Sequence, residues 1–153
     1  MIDLDATDRK ILNLLQHDGR MTNAQLAERV NLSPSACHRR VGRLEEEGVI
    51  AGYAMLVNQE AVGLGTSVFI EVSLSSQAEE ILNNFETAVK QVPAVMECYL
   101  MAGDADYVVR VAVAGVQDYE RIHKEYLSRL PHVARIRSIF AMRTVYKSTA
   151  IDL

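Results

Sequence analysis

The spacing of apolar residues changes character near residue 65, and that change divides the chain into two differently built parts. Before it, Ile11, Leu12, Leu14 and Leu15, then Leu26, Ala27 and Val30, then Cys37, Val41 and Leu44 recur at intervals of three and four, as on helices. After it, Val68, Ile70, Val72 and Leu74 recur at every second residue, as on one side of a strand. A chain of 153 residues with 49% apolar content has enough material for two small cores.

The first part reads as three helices. Thr7 is placed to cap the first, over residues 5–15, with Asp8 following in the first turn. His17-Asp18-Gly19-Arg20 interrupts it, and Thr22 caps a second helix that runs through Val30. In Asn31-Leu32-Ser33-Pro34 the serine is an N-cap and the proline takes the first helical position, where its missing N–H costs nothing. The third helix therefore starts at Ser33-Pro34, commits only Cys37, Val41 and Leu44 to a core, and stops near Gly48. Residues 49–57 are β-prone around Gly52 and suit strands or a wing, and residues 58–65, with two glycines, suit a linker.

The second part alternates strand and helix signals. A strand over 67–74 is followed by a helix carrying Ala78, Ile81, Leu82, Phe85, Ala88 and Val89. Two strands, 95–101 and 107–113, flank the turn Gly103-Asp104-Ala105. A helix over 116–130 ends at Pro131, and a last strand spans 133–146. The order β-α-β-β-α-β is that of the ferredoxin-like αβ-sandwich, with both helices on one face of a four-stranded antiparallel sheet. Residues 107–114 are apolar on both sides, so the uncovered face is expected to expose an apolar patch that a second copy would cover.

Two short helices joined by a tight turn, over Thr22 to Glu46, form a helix-turn-helix, which points to double-stranded DNA. The net charge of −4 does not favour nucleic acid, but Arg39, Arg40 and Arg43 lie together on the third helix. Ser35, Ala36 and Arg39 occupy the end that enters a major groove, where small residues allow close approach and an arginine grips guanine O6 and N7. Arg40 and Arg43 flank them as expected phosphate contacts, and Ser33 offers a helix N-terminus to a phosphate. The competing reading makes the arginines a solvated face paired with glutamates, since Arg43 and Glu47 have i,i+4 spacing. His38 fits a phosphate contact or the edge of the core equally well.

Across essentially its whole length the chain resembles the Lrp/AsnC (feast/famine) regulators. The segments "LDATDRKILNLLQHDGRMTNAQLAERVNLSPSACHRRVGRLEEEGVI", "ECYLMAGDADYVVRV" and "LPHVARIRSIFAMRTV" carry the resemblance. It implies an α+β chain: a winged helix-turn-helix domain at 1–50, a linker hairpin at 51–65, and a ferredoxin-like effector-binding and oligomerisation domain at 66–153. It also implies homodimers that assemble to tetramers or octamers, and an amino acid or related metabolite held between dimers.

Chemistry alone leaves Gly103-Asp104-Ala105-Asp106-Tyr107 open between an ordinary hairpin turn and a site whose carboxylates accept from an ammonium group, its glycine supplying φ > 0. The resemblance implies effector contacts at Met101, Gly103, Asp104, Asp106 and Ser138. This chain has Ala105 where the family commonly has an aromatic residue, and Ser138 where it commonly has threonine, so the effector's identity does not carry over.

No catalytic triad order, phosphate loop or metal-spaced histidine set is evident, so neither an enzyme nor a cofactor is expected. Cys37 and Cys98 lack the spacing of a zinc site or disulfide framework. With no apolar run long enough for a bilayer and no leader, the expected location is cytoplasmic, without a membrane partner. Two alternatives stand beside the regulator reading: an architectural DNA-binding protein without an effector, and an enzyme like the sirohaem decarboxylases that resemble this family. The latter would need a basic site for several carboxylates, whereas the basic residues here concentrate on the third helix.

Overall fold

The computed structural model describes residues 2–153. Its first helix starts earlier than the sequence suggests. The Asp5 carboxylate accepts from the Asp8 N–H at 2.8 Å, and the Asp8 carboxylate accepts from the Asp5 N–H at 3.3 Å. This reciprocal capping box starts α1, Ala6–His17, so Thr7 lies inside the helix rather than at its cap. Thr22 and Gln25 build the same box for α2, Asn23–Val30, which ends at Asn31 in the left-handed region at φ 56°. The Ser33 hydroxyl accepts from the Ala36 N–H at 3.2 Å and caps α3, Pro34–Glu46. These helices bury Ile11, Leu12, Leu26, Ala27, Val30, Cys37 and Leu44 in one core, with Val41 half-buried against it.

Residues 51–57 form no strand, and Tyr53, Met55, Leu56 and Val57 are exposed. A β-prone run becomes a strand only when a second strand takes its backbone N–H and C=O groups, and the described residues offer none here. The chain's end, in contrast, returns to this part of the protein. The Gln16 amide both accepts from the Ile151 N–H (2.7 Å) and donates to the Ile151 carbonyl (3.0 Å). The two compact units are accordingly residues up to Leu56 together with Tyr146–Leu153, and Val57–Val145. The last eight residues thus group with the helices rather than with the sheet.

The second unit comprises β1 Thr66–Leu74, α4 Glu79–Val89, β2 Val95–Leu100, β3 Tyr107–Val113, α5 Val116–Glu125, a 3-10 turn Leu127–Arg129, and β4 Val133–Phe140. The strands form one sheet in the order β2-β3-β1-β4, antiparallel throughout, which is the expected ferredoxin-like arrangement. The anticipated helix over 116–130 is broken at Tyr126, where φ and ψ of −124° and −61° leave the helical range. β4 stops at Phe140 instead of reaching Tyr146, because Phe140 pairs with Val68 and β1 begins only two residues earlier. Past Phe140 β1 receives one more bond, from the Ala141 N–H to the Ser67 carbonyl at 3.0 Å, and then runs out.

β1 sits centrally, with Ile70 opposite Val109 on one side and Ser138 on the other. Val68, Ile70, Val72 and Leu74 of β1 and Tyr107, Val109, Val111 and Val113 of β3 pack against Phe85, Val89, Tyr119, Ile122, Leu127 and Leu130. Phe85 and Tyr107 stack with ring centroids 4.5 Å apart, and the Tyr107 hydroxyl donates to Glu86 at 2.8 Å. Burial, reinforced by the Glu86 carboxylate, pushes the Tyr107 phenol far above its ordinary range. The opposite face is less apolar than its sequence suggests. Phe69, Tyr99, Met101 and Ile139 are exposed, but the face is crossed by the ion pairs Arg110–Glu97 (2.7 Å) and Arg137–Glu71 (3.3 Å). No helix among the described residues is long and apolar enough to cross a membrane.

Phe85 is fully buried and makes the ring contact that joins α4 to β3. Phe85→Ala is expected to destabilise the second unit by about 3–5 kcal/mol, read as a lower urea midpoint at unchanged m-value.

Candidate functional site

The first candidate site is the outward face of α3. With Cys37 and Leu44 wholly buried, the opposite face carries Ser35, His38 and Arg39, all exposed, with Ala36 half-buried beside them. Two contacts set the start of this helix: the Ser33 and Ser35 hydroxyls lie 3.2 Å apart, and the Asn23 amide of α2 donates to the Pro34 carbonyl at 2.8 Å. The second contact fixes the helix-turn-helix angle at its apex. Sequence reading does not find it, because Asn23 looks like any polar residue in a first turn.

The three arginines of α3 have unlike surroundings. Arg39 is exposed, and its side chain makes no hydrogen bond or ion pair among the described residues. The Arg40 Nη1 donates to Asp5 at 2.7 Å and to Asp8 at 2.8 Å, and the Arg43 Nη2 donates to the other oxygen of Asp8. The i,i+4 partner of Arg43, Glu47, lies farther off at 4.0 Å. Asp8 is only 1% exposed. The Asp8 N–H and the Arg40 guanidinium hold the Asp5 carboxyl below its ordinary value, and the two carboxylates raise Arg40.

Sequence reading takes Asp8 for a first-turn acid. A sharper signal is present: Asp8 precedes Ile11 and Leu12 by three and four residues, which puts a charge on the buried stripe of α1. A buried carboxylate demands cations, and α3 supplies two.

The second candidate site lies beyond β2. Met101, Ala102, Gly103, Asp104 and Ala105, with Glu71, Val108, Arg135 and Arg137 of the open sheet face, line a cavity of about 450 Å³. Gly103 does not use a positive φ here. A Cβ at that position would meet nothing within 4 Å, so the glycine leaves open space beside the cavity rather than relieving the turn.

Two residues implied by the family resemblance lie outside this cavity. Asp106 is 9% exposed, and its carboxylate accepts from the Leu74 N–H and the Gln77 amide, both at 2.7 Å. It ties the end of β1 to the start of β3. Ser138 is on the helix-covered side of β4, where its hydroxyl bonds that of Tyr119 beside the edge-to-face pair Tyr119–Phe140. Arg135 and Arg137, which sequence reading leaves out, project from β4 to the cavity instead. Strand alternation puts 135 and 137 on one side and 138 on the other, but which side meets the turn depends on sheet register.

The geometry of both sites has counterparts among known proteins. A family model for winged helix-turn-helix DNA-binding domains matches residues 4–51, and one for the Lrp/AsnC ligand binding domain matches residues 67–151. The leucine-responsive regulatory protein of Escherichia coli K12 is 40% identical over 149 residues, covering 97% of this chain and 91% of that protein. A transcriptional regulator from Neisseria meningitidis, solved as a complex with L-Met, superposes with a TM-score of 0.91 at 35% identity, covering 97% of this chain and 96% of that one. An AsnC family transcriptional regulator from Agrobacterium tumefaciens gives 0.92 at 34% identity, with the same coverage.

The two bonds to Asp106 make it a structural residue whatever else it touches. Asp106→Ala leaves the buried Leu74 N–H unpaired and is expected to lower stability by about 1–3 kcal/mol without any ligand present, measured by thermal or urea unfolding.

Proposed function

The chain belongs to the Lrp/AsnC family and is a DNA-binding transcriptional regulator with a ligand-binding domain; from that premise we propose which residues read DNA and which hold the effector. The observation that carries the DNA part is the free guanidinium of Arg39 on the exposed face of a helix whose other face is spent on the core. Ser35, Ala36 and Arg39 contact base edges, and Ser33 and the start of α3 meet a phosphate. Arg40 and Arg43 lie at the flank of this surface, with hydrogen-bond donors left over after Asp8 is served. Two copies present two such helices to successive major grooves of a pseudo-palindromic site.

The effector is an amino acid or a close relative, held at the cavity beside the 101–105 turn. A volume of about 450 Å³ suits a ligand of that size. Asp104 answers an ammonium group, and Arg135, which makes no hydrogen bond or ion pair among the described residues, answers a carboxylate. The L-Met complex of the Neisseria relative supports this ligand class over a purely architectural role. The helix-turn-helix unit likewise favours a regulator over a decarboxylase on the same fold. The exposed Phe69, Tyr99 and Ile139 of the open sheet face give a second copy a surface to cover, and dimers formed there assemble further to tetramers or octamers. The ligand alters DNA affinity to the extent that it binds one assembly or head spacing better than another.

Two measurements bear on this. Arg39→Ala is expected to weaken binding to a duplex selected by the protein from a random pool by about 1–3 kcal/mol and to relax preference at one base pair; unchanged affinity and preference would remove Arg39 from the reading surface. In calorimetry against the amino acids, Asp104→Asn should abolish the heat given by the best-binding one. A ligand that binds this variant unchanged sits elsewhere.

A further inference from the structure

We propose that Asp8 is a positioning residue for DNA reading, one that fixes α3 against α1 through Arg40 and Arg43 and at the same time cancels their charge. The proposal rests on the assignment of α3 as the reading helix and goes beyond it, because it concerns a residue that faces away from DNA. Four charged groups meet at this point. Asp8 is buried and takes one nitrogen from each of two arginines, and Asp5, more than half of whose side chain is exposed, takes a second bond from the same nitrogen of Arg40. Glu47 stands at the margin, 4.0 Å from the Arg43 Nε, which has no hydrogen-bond partner.

Two carboxylates against two guanidinium groups give a cluster with no net charge. Either arginine can still donate a hydrogen bond to a phosphate, because the side chains of Arg40 and Arg43 remain 29% and 42% exposed. Neither can bring its full charge, since leaving Asp8 would strand a carboxylate that is almost wholly out of water. Electrostatic attraction to phosphates is the part of DNA affinity that ignores sequence. Asp8 therefore suppresses that part while holding Arg39 in a fixed place, which raises discrimination at the expense of raw affinity. The acidic balance of the whole chain, −4, works in the same direction.

The test is the salt dependence of binding by the full-length chain to two duplexes of equal length, one selected from a random pool by the wild-type protein and one of mixed sequence. Asp8→Asn keeps the size and removes the charge, together with one of the two acceptor oxygens. It should steepen the slope of log affinity against log salt by about 0.9 for each phosphate newly engaged, hence by about 0.9 to 1.8 for two arginines. It should also tighten binding to the mixed-sequence duplex at low salt and shrink the ratio between the two duplexes. A purely structural Asp8 would give a folded variant with weaker binding on both duplexes and an unchanged slope, and that result overturns the proposal.

Asp5→Asn is the second arm, because asparagine is as good an N-cap as aspartate and folding is preserved. It should steepen the slope by up to about 0.9. If Asp8→Asn does not fold, an unchanged slope for Asp5→Asn overturns the proposal by itself. If Arg39→Ala changes neither affinity nor preference on either duplex, the α3 reading fails and takes this inference with it.

Discussion

A polar group taken out of water must be met by a partner, and in this chain that requirement decides more of the architecture than apolar spacing does. Burying Asp8 on the apolar stripe of α1 obliges two arginines of α3 to come to it, and their arrival fixes how α3 lies on α1. Asp106, nearly buried between β1 and β3, is met in the same way by the Leu74 N–H and the Gln77 amide, and that ties the two strands together beside the 101–105 turn. β4 stops close to where β1 begins, and residues 51–57 form no strand for want of a second one.

The same accounting separates the two jobs of the protein. The hydrophobic faces of α1, α2 and α3 are consumed by one core, so what α3 leaves exposed is an outward surface around Ser35 and Arg39. The sheet in the other unit spends one face on α4 and α5. Its remaining face keeps charges, paired across strands as Arg110–Glu97 and Arg137–Glu71, among exposed aromatic and aliphatic side chains. The Arg135 side chain, without a hydrogen-bond or ion-pair partner among the described residues, lines the cavity beside the 101–105 turn.

Much of this is legible in order. The helix-turn-helix follows from Thr22, Ser33 and Pro34, whose capping chemistry is local, and the α3 stripe from Cys37, Val41 and Leu44. The ferredoxin-like order follows from alternating periods, and β1, α4 and β3 fall within a residue or so of where those periods put them. What escaped reading was long-range. Nothing local shows that Arg40 and Arg43 also hold Asp8, more than thirty residues away. The hydroxyl bond of Ser138 to Tyr119 and the bond that Asp106 accepts from the Leu74 N–H depend on the register and are likewise not legible. The C-terminal residues return to α1 through Gln16, which bonds the Ile151 N–H and carbonyl, and Asn13, which donates to the Leu153 carbonyl, and no pattern in the sequence announces such bonds.

The sequence by itself thus determined the identity and order of the elements, because caps, prolines and hydrophobic periods act within a few residues and need no knowledge of the rest of the chain. It also determined that α3 commits only a narrow apolar face to the core, since three positions account for it. Only the tertiary structure decided which charges on that helix are free and which strand face meets the 101–105 turn. Both depend on partners brought together across the chain, and a charge has no fixed role until its neighbours in space are known.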